Sequence, residues 1–302
     1  MTSTPETSDG LIPLKRVVRA VIVLGGLLWS TWTPAEQTPG YSYLISYQGF
    51  FTAGLEVDIG RVELRPGGEE REILMLASTR GFETAELLVP VRFCYRSRSD
   101  LDGLSTRQAD WWSRIGDKVS RGSLLVDKSR QQVLRLHAER KLNSGFAPAD
   151  DDLLPARASS NETDQDRDET PFPATGAPLD RLGMIQYLRR QPLKVGETLS
   201  LPATNGRDLA GYRIEVMARE ELTWESGKRD TFKLHLQPLL TDEDADDYPT
   251  WLWLSADQQR LPLRFRSEHG HGRFEMRLSA KQLDTGVHCP VPEAVGLELP
   301  DV

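Results

Sequence analysis

The sequence lacks the short motifs that mark most enzyme classes. It contains no G-x-S-x-G elbow, no H-E-x-x-H helix, no phosphate-binding P-loop and no G-x-G-x-x-G dinucleotide fingerprint. Four glutamates crowd one strand-like stretch, but they fall on both of its faces, so they do not form a catalytic carboxylate pair; they are Glu215, Glu220, Glu221 and Glu225. We therefore predict no catalytic residue, no cofactor and a protein that is not an enzyme.

Cysteine, excess positive charge and long apolar runs are also scarce. The 302 residues include two cysteines, which excludes a small disulfide-dense scaffold. Net charge is -8, from 37 Lys and Arg against 45 Asp and Glu, and an acidic chain repels nucleic acid. The longest apolar run, residues 20–32, is shorter than the roughly 20 residues that span a bilayer comfortably.

That apolar run follows a cluster of cations and is typical of an export signal. Lys15, Arg16 and Arg19 precede it, which is the order of a signal peptide. We predict that residues 1–35 are either a signal peptide cleaved after Ala35 or an uncleaved signal anchor, with membrane contact limited to residues 17–33. Both alternatives place the body in the periplasm, either soluble or tethered to the inner membrane.

The body of the chain alternates between apolar and polar residues with a period of two. This pattern, with its Gly and Asp-Gly turns, predicts a mainly β sandwich or barrel. One short helix is expected at about 180–190, because Asp180 can cap it and Pro192 stops it. The predicted strands are 43–47, 55–59, 62–64, 73–76, 87–93, 124–126, 133–136, 214–224, 232–236, 251–254, 263–265 and 274–278.

Residues 145–178 interrupt this pattern with an acidic, Pro-containing stretch that has few apolar residues. We predict a disordered linker there, with a lid as the alternative. The domain organisation is then a single β domain over 40–285, interrupted by the linker, and a Pro-rich tail over 286–302.

Several fragments resemble the DUF3108 family of Gram-negative envelope proteins. They are Tyr43-x-x-x-Tyr47-x-Gly49, FCYRS from Phe93, DRLGMIQYLRR from Asp180, WLWLS from Trp251 and RLPL from Arg260, and they extend the likeness over nearly all of 41–280. The resemblance implies a periplasmic, β-rich protein with a curved antiparallel sheet or incomplete β-barrel. The family has no assigned biochemical role, so the resemblance supplies no catalytic residues.

Aromatic residues on two strands are the candidate ligand-lining side chains. Trp251 and Trp253 share one strand face, and Tyr43 and Tyr47 share another. We predict a non-enzymatic envelope-maintenance or binding protein for an amphipathic ligand, such as a lipid or lipoprotein segment. The alternative is a structural or protein-interaction module with a packed interior and no ligand. The expected partner is accordingly a lipid or an envelope protein.

No metal site is predicted. The acidic cluster at 242–247 fails the EF-hand template, and His269 and His271 flank Gly270 as in a solvated turn. The two cysteines, Cys94 and Cys289, are a disulfide candidate in an oxidising compartment, with two separate thiols as the alternative.

Overall fold

The computed structural model describes residues 40–67, 71–100, 105–141, 168–173, 178–204, 209–225, 227–239, 249–269, 272–282, 284–287 and 289. The strands are β1 Tyr41–Gly49, β2 Glu56–Pro66, β3 Glu72–Ser78, β4 Val91–Ser99, β5 Thr106–Ile115, β6 Lys118–Asp127, β7 Gln132–Lys141, β8 Asp168–Pro173, β9 Thr198–Thr204, β10 Leu209–Trp224, β11 Gly227–Leu239, β12 Thr250–Ser255, β13 Pro262–His269 and β14 Gly272–Leu278. The helices are α1 Glu83–Leu88 and α2 Arg181–Arg189, with a 3-10 turn at Phe50–Thr52.

All these strands form one antiparallel sheet. Its order is β8-β7-β6-β5-β4-β3-β2-β1-β14-β13-β12-β11-β10-β9, so β8 and β9 are its edges and strand pairing does not close it. The predicted mainly β fold with an unclosed, curved antiparallel sheet is confirmed.

The inner face of the sheet carries the main core, and α2 lies against it. One buried cluster joins Met184 and Leu188 of α2 to side chains of β9–β12. A second joins Leu182 of α2 to β1–β3, β13 and β14. One short helix thus contacts strands of both clusters, which shows that the sheet curls around α2.

A three-residue segment spans the gap between β5 and β9, and we call residues 178–180 the strap. The backbone N–H of Thr106 at the start of β5 donates to Pro178 O at 2.9 Å. On the other side, Leu179 N–H donates to Pro202 O at 3.0 Å, and Thr204 N–H donates to Leu179 O at 2.8 Å. The strap thus connects the two ends of an eleven-strand arc that runs from β5 to β9.

The helix α2 begins where the sequence predicts. The Asp180 carboxylate accepts a hydrogen bond from Gly183 N–H at 2.5 Å, which satisfies one of the unpaired donors of the first turn. A Cβ on Gly183 would lie 3.0 Å from Thr106 Oγ1, so the absence of a side chain lets the helix approach β5 closely. Neither helix in the described part of the chain has the length and apolar character needed to span a bilayer.

The end of the sheet where β10 joins β11 is covered. The joined strands extend beyond β12, and Trp224 Nε1 donates to Leu278 O of β14 at 2.5 Å. Leu222 and Trp224 pack against the second core cluster. The tip of this hairpin therefore covers one end of the curled sheet.

The structure differs from the sequence prediction in four elements. Strands β5 and β9 lie in ranges for which the sequence pattern predicts no strand. Residues 87–88, predicted as strand, belong to α1, and β4 begins only at Val91. Strand β8 lies inside the range predicted as a disordered linker and pairs with β7 at the sheet edge. The prolines of β8 are compatible with an edge strand, because the missing N–H is not needed there.

Candidate functional site

The space enclosed by the curled sheet is occupied by side chains of α2. Leu188 is fully buried, and Leu182 and Met184 are nearly so. Tyr43 lies on the same inner face and is also buried, and burial raises the pKa of its phenol above the ordinary range. The described interior is therefore a packed core around a helix.

A small polar cluster lies within this core at the start of α2. Asp180 is fully buried, and its N–H donates to Thr106 Oγ1 at 2.8 Å. Burial raises the pKa of the Asp180 carboxyl, although the neighbouring Ser97 hydroxyl and Gly183 N–H favour the charged form. The Tyr95 hydroxyl also lies beside this carboxylate, so the cluster joins strap, helix and sheet.

The outer face of the sheet has a different chemistry around Trp253. Its indole is only 3% exposed, because three cations lie over the ring: Lys233 at 5.4 Å, Arg264 at 5.0 Å and Arg266 at 5.7 Å. The indole N–H donates to Glu220 Oε1 at 2.7 Å. Such cation–π contacts cover an aromatic ring with charge on the solvent side.

A buried glutamate, Glu275, binds two of the arginines that lie over Trp253. Glu275 Oε2 accepts from Arg264 and from Arg266, the latter at 2.9 Å. Burial raises the pKa of Glu275, but these arginines outweigh it and the pKa is lowered overall. The carboxylate therefore stays charged and fixes the arginines on the outer surface.

The four predicted ligand-lining aromatics do not line one cavity. Trp251 and Trp253 lie on the outer face, opposite the core residues Leu252 and Leu254. Tyr43 lies inside, and Tyr47 lies on its face near the far end of β1. Tyr47 packs against Phe274 with ring centroids 4.8 Å apart. The two-residue repeat of a strand assigns these residues to opposite faces of the sheet correctly, but it does not tell which face is enclosed.

An open cleft of about 420 Å³ lies near the β10–β11 hairpin. Arg219 and Asp230 line it, and the Arg219 guanidinium donates to the Asp230 carboxylate at 2.7 Å. In the part of the chain that the structure describes, no three His, Cys, Asp or Glu side chains are grouped as metal ligands. The acidic cluster at 242–247 and the side chains of His269 and His271 lie outside the described residues.

The structure joins Cys94 of β4 to Cys289 of the tail as a disulfide, with Cα atoms 5.5 Å apart. Val287 packs with Leu76 and Cys94 on the outer face. The bond therefore holds the end of the chain against β3 and β4, across a separation of 195 residues.

Sequence reasoning missed the strap and the three cations over Trp253 on the outer face. Both depend on which residues become cross-strand neighbours, and no local signal in the sequence reports that register. The one available hint was Gly183, a glycine within a predicted helix, which indicates a close contact.

These features define a class of protein: an unclosed, barrel-like antiparallel sheet curled around a helix. Residues 155–279 match the model of a protein family of unknown function, DUF3108, so the family resemblance is confirmed over those residues. The fragments at Tyr43 and Phe93 lie outside the matched range.

A solved structure supports the fold. It is described as a beta-barrel-like protein of domain of unknown function DUF1849 from Brucella abortus, and it matches with a TM-score of 0.51 and 8% identity. The match covers 80% of this chain and 94% of that chain. At this identity the likeness concerns the fold alone. No curated protein matches the sequence.

Proposed function

We propose that the protein is a non-enzymatic module of the Gram-negative envelope that acts through its outer surface and holds no ligand inside. The observation that carries this proposal is the position of α2. Leu182, Met184 and Leu188 fill the space inside the curled sheet, where an amphipathic ligand would otherwise bind. A structural or protein-interaction role therefore fits the geometry better than ligand carriage.

Two observations support an exported protein. The cations before the apolar run 20–32 have the order of a signal sequence. The pairing of Cys94 with Cys289 suits an oxidising compartment, since disulfides persist there and are rare in the cytosol. The proposal accommodates either a cleaved signal peptide or an inner-membrane tether.

The interior is tested by native mass spectrometry of the protein exported in its own envelope. We expect the mass of the chain alone, with no bound lipid or fatty acid. A stoichiometric lipid that survives gentle desorption would contradict a filled interior.

The location is tested with a fusion of residues 1–60 to a reporter that is active only outside the cytoplasm. We expect reporter activity, and its loss when Lys15, Arg16 and Arg19 are replaced and the apolar run is interrupted. Thiol counting on the denatured, unreduced protein adds a second readout, with no free thiol expected. An inactive reporter together with two free thiols would contradict export.

A further inference from the structure

The last segment of the chain that the structure describes lies against the outer face of the sheet, after the final strand has ended. We call residues 284–287 and 289 the cover. Thr285 is 1% exposed and Val287 is 2% exposed, so the cover is seated on the protein and does not project from it. Beneath it, Val287 packs on Leu76 of β3, which has no exposed surface. The cover therefore buries an apolar site on the face of the sheet opposite α2.

Few non-covalent contacts hold the cover in place. The Arg61 guanidinium donates to Asp284 O at 2.9 Å. The Arg80 guanidinium donates to Gly286 O at 3.3 Å. Among the described residues, no backbone hydrogen bond joins the cover to a strand. Each side-chain bond replaces a bond to water and adds little net stability, while ordering the segment costs conformational entropy. The disulfide to β4 is therefore the main attachment of the cover.

The rest of the fold is complete without this disulfide. The described strands that form the arc and its extension lie between residues 41 and 278, before the cover begins. The helix α2 and the strap also lie within that range. Loss of the bond should therefore release the cover and leave the sheet paired around α2.

The two cysteines differ in their access to solvent. Cys94 is only 4% exposed within β4, whereas Cys289 is partly exposed in the cover. The rate at which an external thiolate attacks a disulfide depends on access to the sulfur. Attack at Cys289 Sγ makes Cys94 the leaving thiolate, at the site that the cover buries.

We propose that the bond between Cys94 and Cys289 is a reversible attachment, through which a protein dithiol controls whether this part of the outer face is covered. One thiolate of the dithiol attacks Cys289 Sγ, forms a mixed disulfide and displaces Cys94 as a thiolate. The second thiol of the dithiol then attacks its own partner's sulfur in the mixed disulfide, which frees Cys289 and leaves the dithiol oxidised. Two electrons pass to the protein disulfide, both cysteines take up the protons that the dithiol has lost, and the cover detaches from Leu76.

This inference goes beyond the proposed function, because it gives one part of the outer surface two states. In the oxidised state Leu76 and Cys94 are buried under the cover. In the reduced state an apolar site and a thiol face the solvent. The interior is filled by α2 in both states, so the mass measurement of bound lipid decides a separate question.

The test is the reduction of the full-length, oxidised protein by dithiothreitol without denaturant, followed by alkylation and mass measurement. The bond should be reduced completely, at a rate proportional to the dithiothreitol concentration, because the reagent reaches the accessible sulfur directly. Circular dichroism should show the same strand content before and after reduction. A bond that is reduced only as the strand signal is lost would be a permanent structural bond and would overturn the proposal.

The variant Leu188→Ala separates attack on the folded protein from attack on the unfolded chain. It weakens the core around α2 and leaves the cover and both cysteines unaltered. If reduction required unfolding, this variant should be reduced at least about thirtyfold faster, given the usual cost of removing a buried leucine side chain. Direct attack on the folded protein predicts the same rate for the variant and the unaltered protein. An acceleration of that size would contradict a reversible attachment.

A variant with one thiol tests whether the cover detaches. In Cys289→Ser the Cys94 thiol is the only one in the chain, so its alkylation by N-ethylmaleimide reports on the covered site. We expect Cys94 to be alkylated in the folded protein, without denaturant. Adding Val287→Asp, which would expel a seated cover by placing a charge in a buried position, should then change nothing.

Two results with these variants would refute detachment. Faster alkylation in the double variant would show that the cover stays seated when the bond is absent. A Cys94 thiol that remains blocked in both folded variants, but reacts after denaturation, would show that the cover is not what shields it.

Discussion

The arc from β5 to β9 and the extension formed by β6–β8 belong to one sheet but are stabilised differently. The arc curls around α2, and its largest buried cluster includes Leu188, Ile214 and Leu234, each with no exposed surface. The extension has one small cluster of three buried residues, Ala109, Leu124 and Val133, and the first of them belongs to β5. Strand pairing therefore extends the sheet beyond the arc with little buried core. Most of the buried core forms where the sheet packs against α2.

The largest expected effect compares a core leucine from each region. Leu188→Ala should lower the free energy of unfolding by about 2–5 kcal/mol, because it removes a fully buried side chain from α2. Urea denaturation measures it, and exchange should accelerate in β9–β12 and in β1–β3 together. Leu124→Ala is the matched change in the extension and should accelerate exchange mainly in β6–β8. Equal acceleration of the whole sheet by both variants would show that the two regions unfold as one unit.

A smaller effect is expected at the strap, where the arc is completed. Asp180→Ala should cost about 1–2 kcal/mol, because it removes the N-cap of α2. Asp180→Asn keeps an acceptor for Gly183 N–H and removes the buried charge. Stability measurements on both variants separate the capping role from the cost of burying a carboxylate.

The contribution of Asp180 to the stability of the protein should change with pH in a direction that can be measured. Since burial raises its pKa in the folded state, the folded protein holds this proton where the unfolded chain has released it. The contribution of Asp180 is therefore greatest below the unfolded pKa and is lost as pH rises toward the folded pKa. The stability of Asp180→Asn relative to the unaltered protein should rise between about pH 4 and neutrality. A constant difference across that range would contradict the raised pKa.

The smallest effect concerns the close approach of α2 to β5. In Gly183→Ala the new Cβ lies 3.0 Å from Thr106 Oγ1 and 3.1 Å from Asp180 Oδ1. Overpacking costs about 1–3 kcal/mol, and the better helix propensity of Ala returns about 1 kcal/mol. We expect a net loss on the order of 1 kcal/mol by urea denaturation. Stabilisation instead would mean that the strap shifts easily and that the arc is held elsewhere.

Local patterns predicted much of the secondary structure. Asp180 and Pro192 bracket α2 because capping and the absence of a donor act within a few residues. Pro262 begins β13, beside an irregularity in its pairing with β12, as expected for a residue that cannot donate to a ladder. Trp253 and Leu254 face opposite sides because the strand repeat is two.

The sequence alone determined the alternation, the helix ends and the mainly β class, since these follow from backbone geometry and nearest neighbours. Only the tertiary structure decided that α2 fills the interior, that the strap spans from Thr106 to Pro202 and Thr204, and that Lys233, Arg264 and Arg266 gather over Trp253. Each of these depends on the register of residues far apart in the chain. That register is set by the combined burial of many side chains, and no single segment carries it.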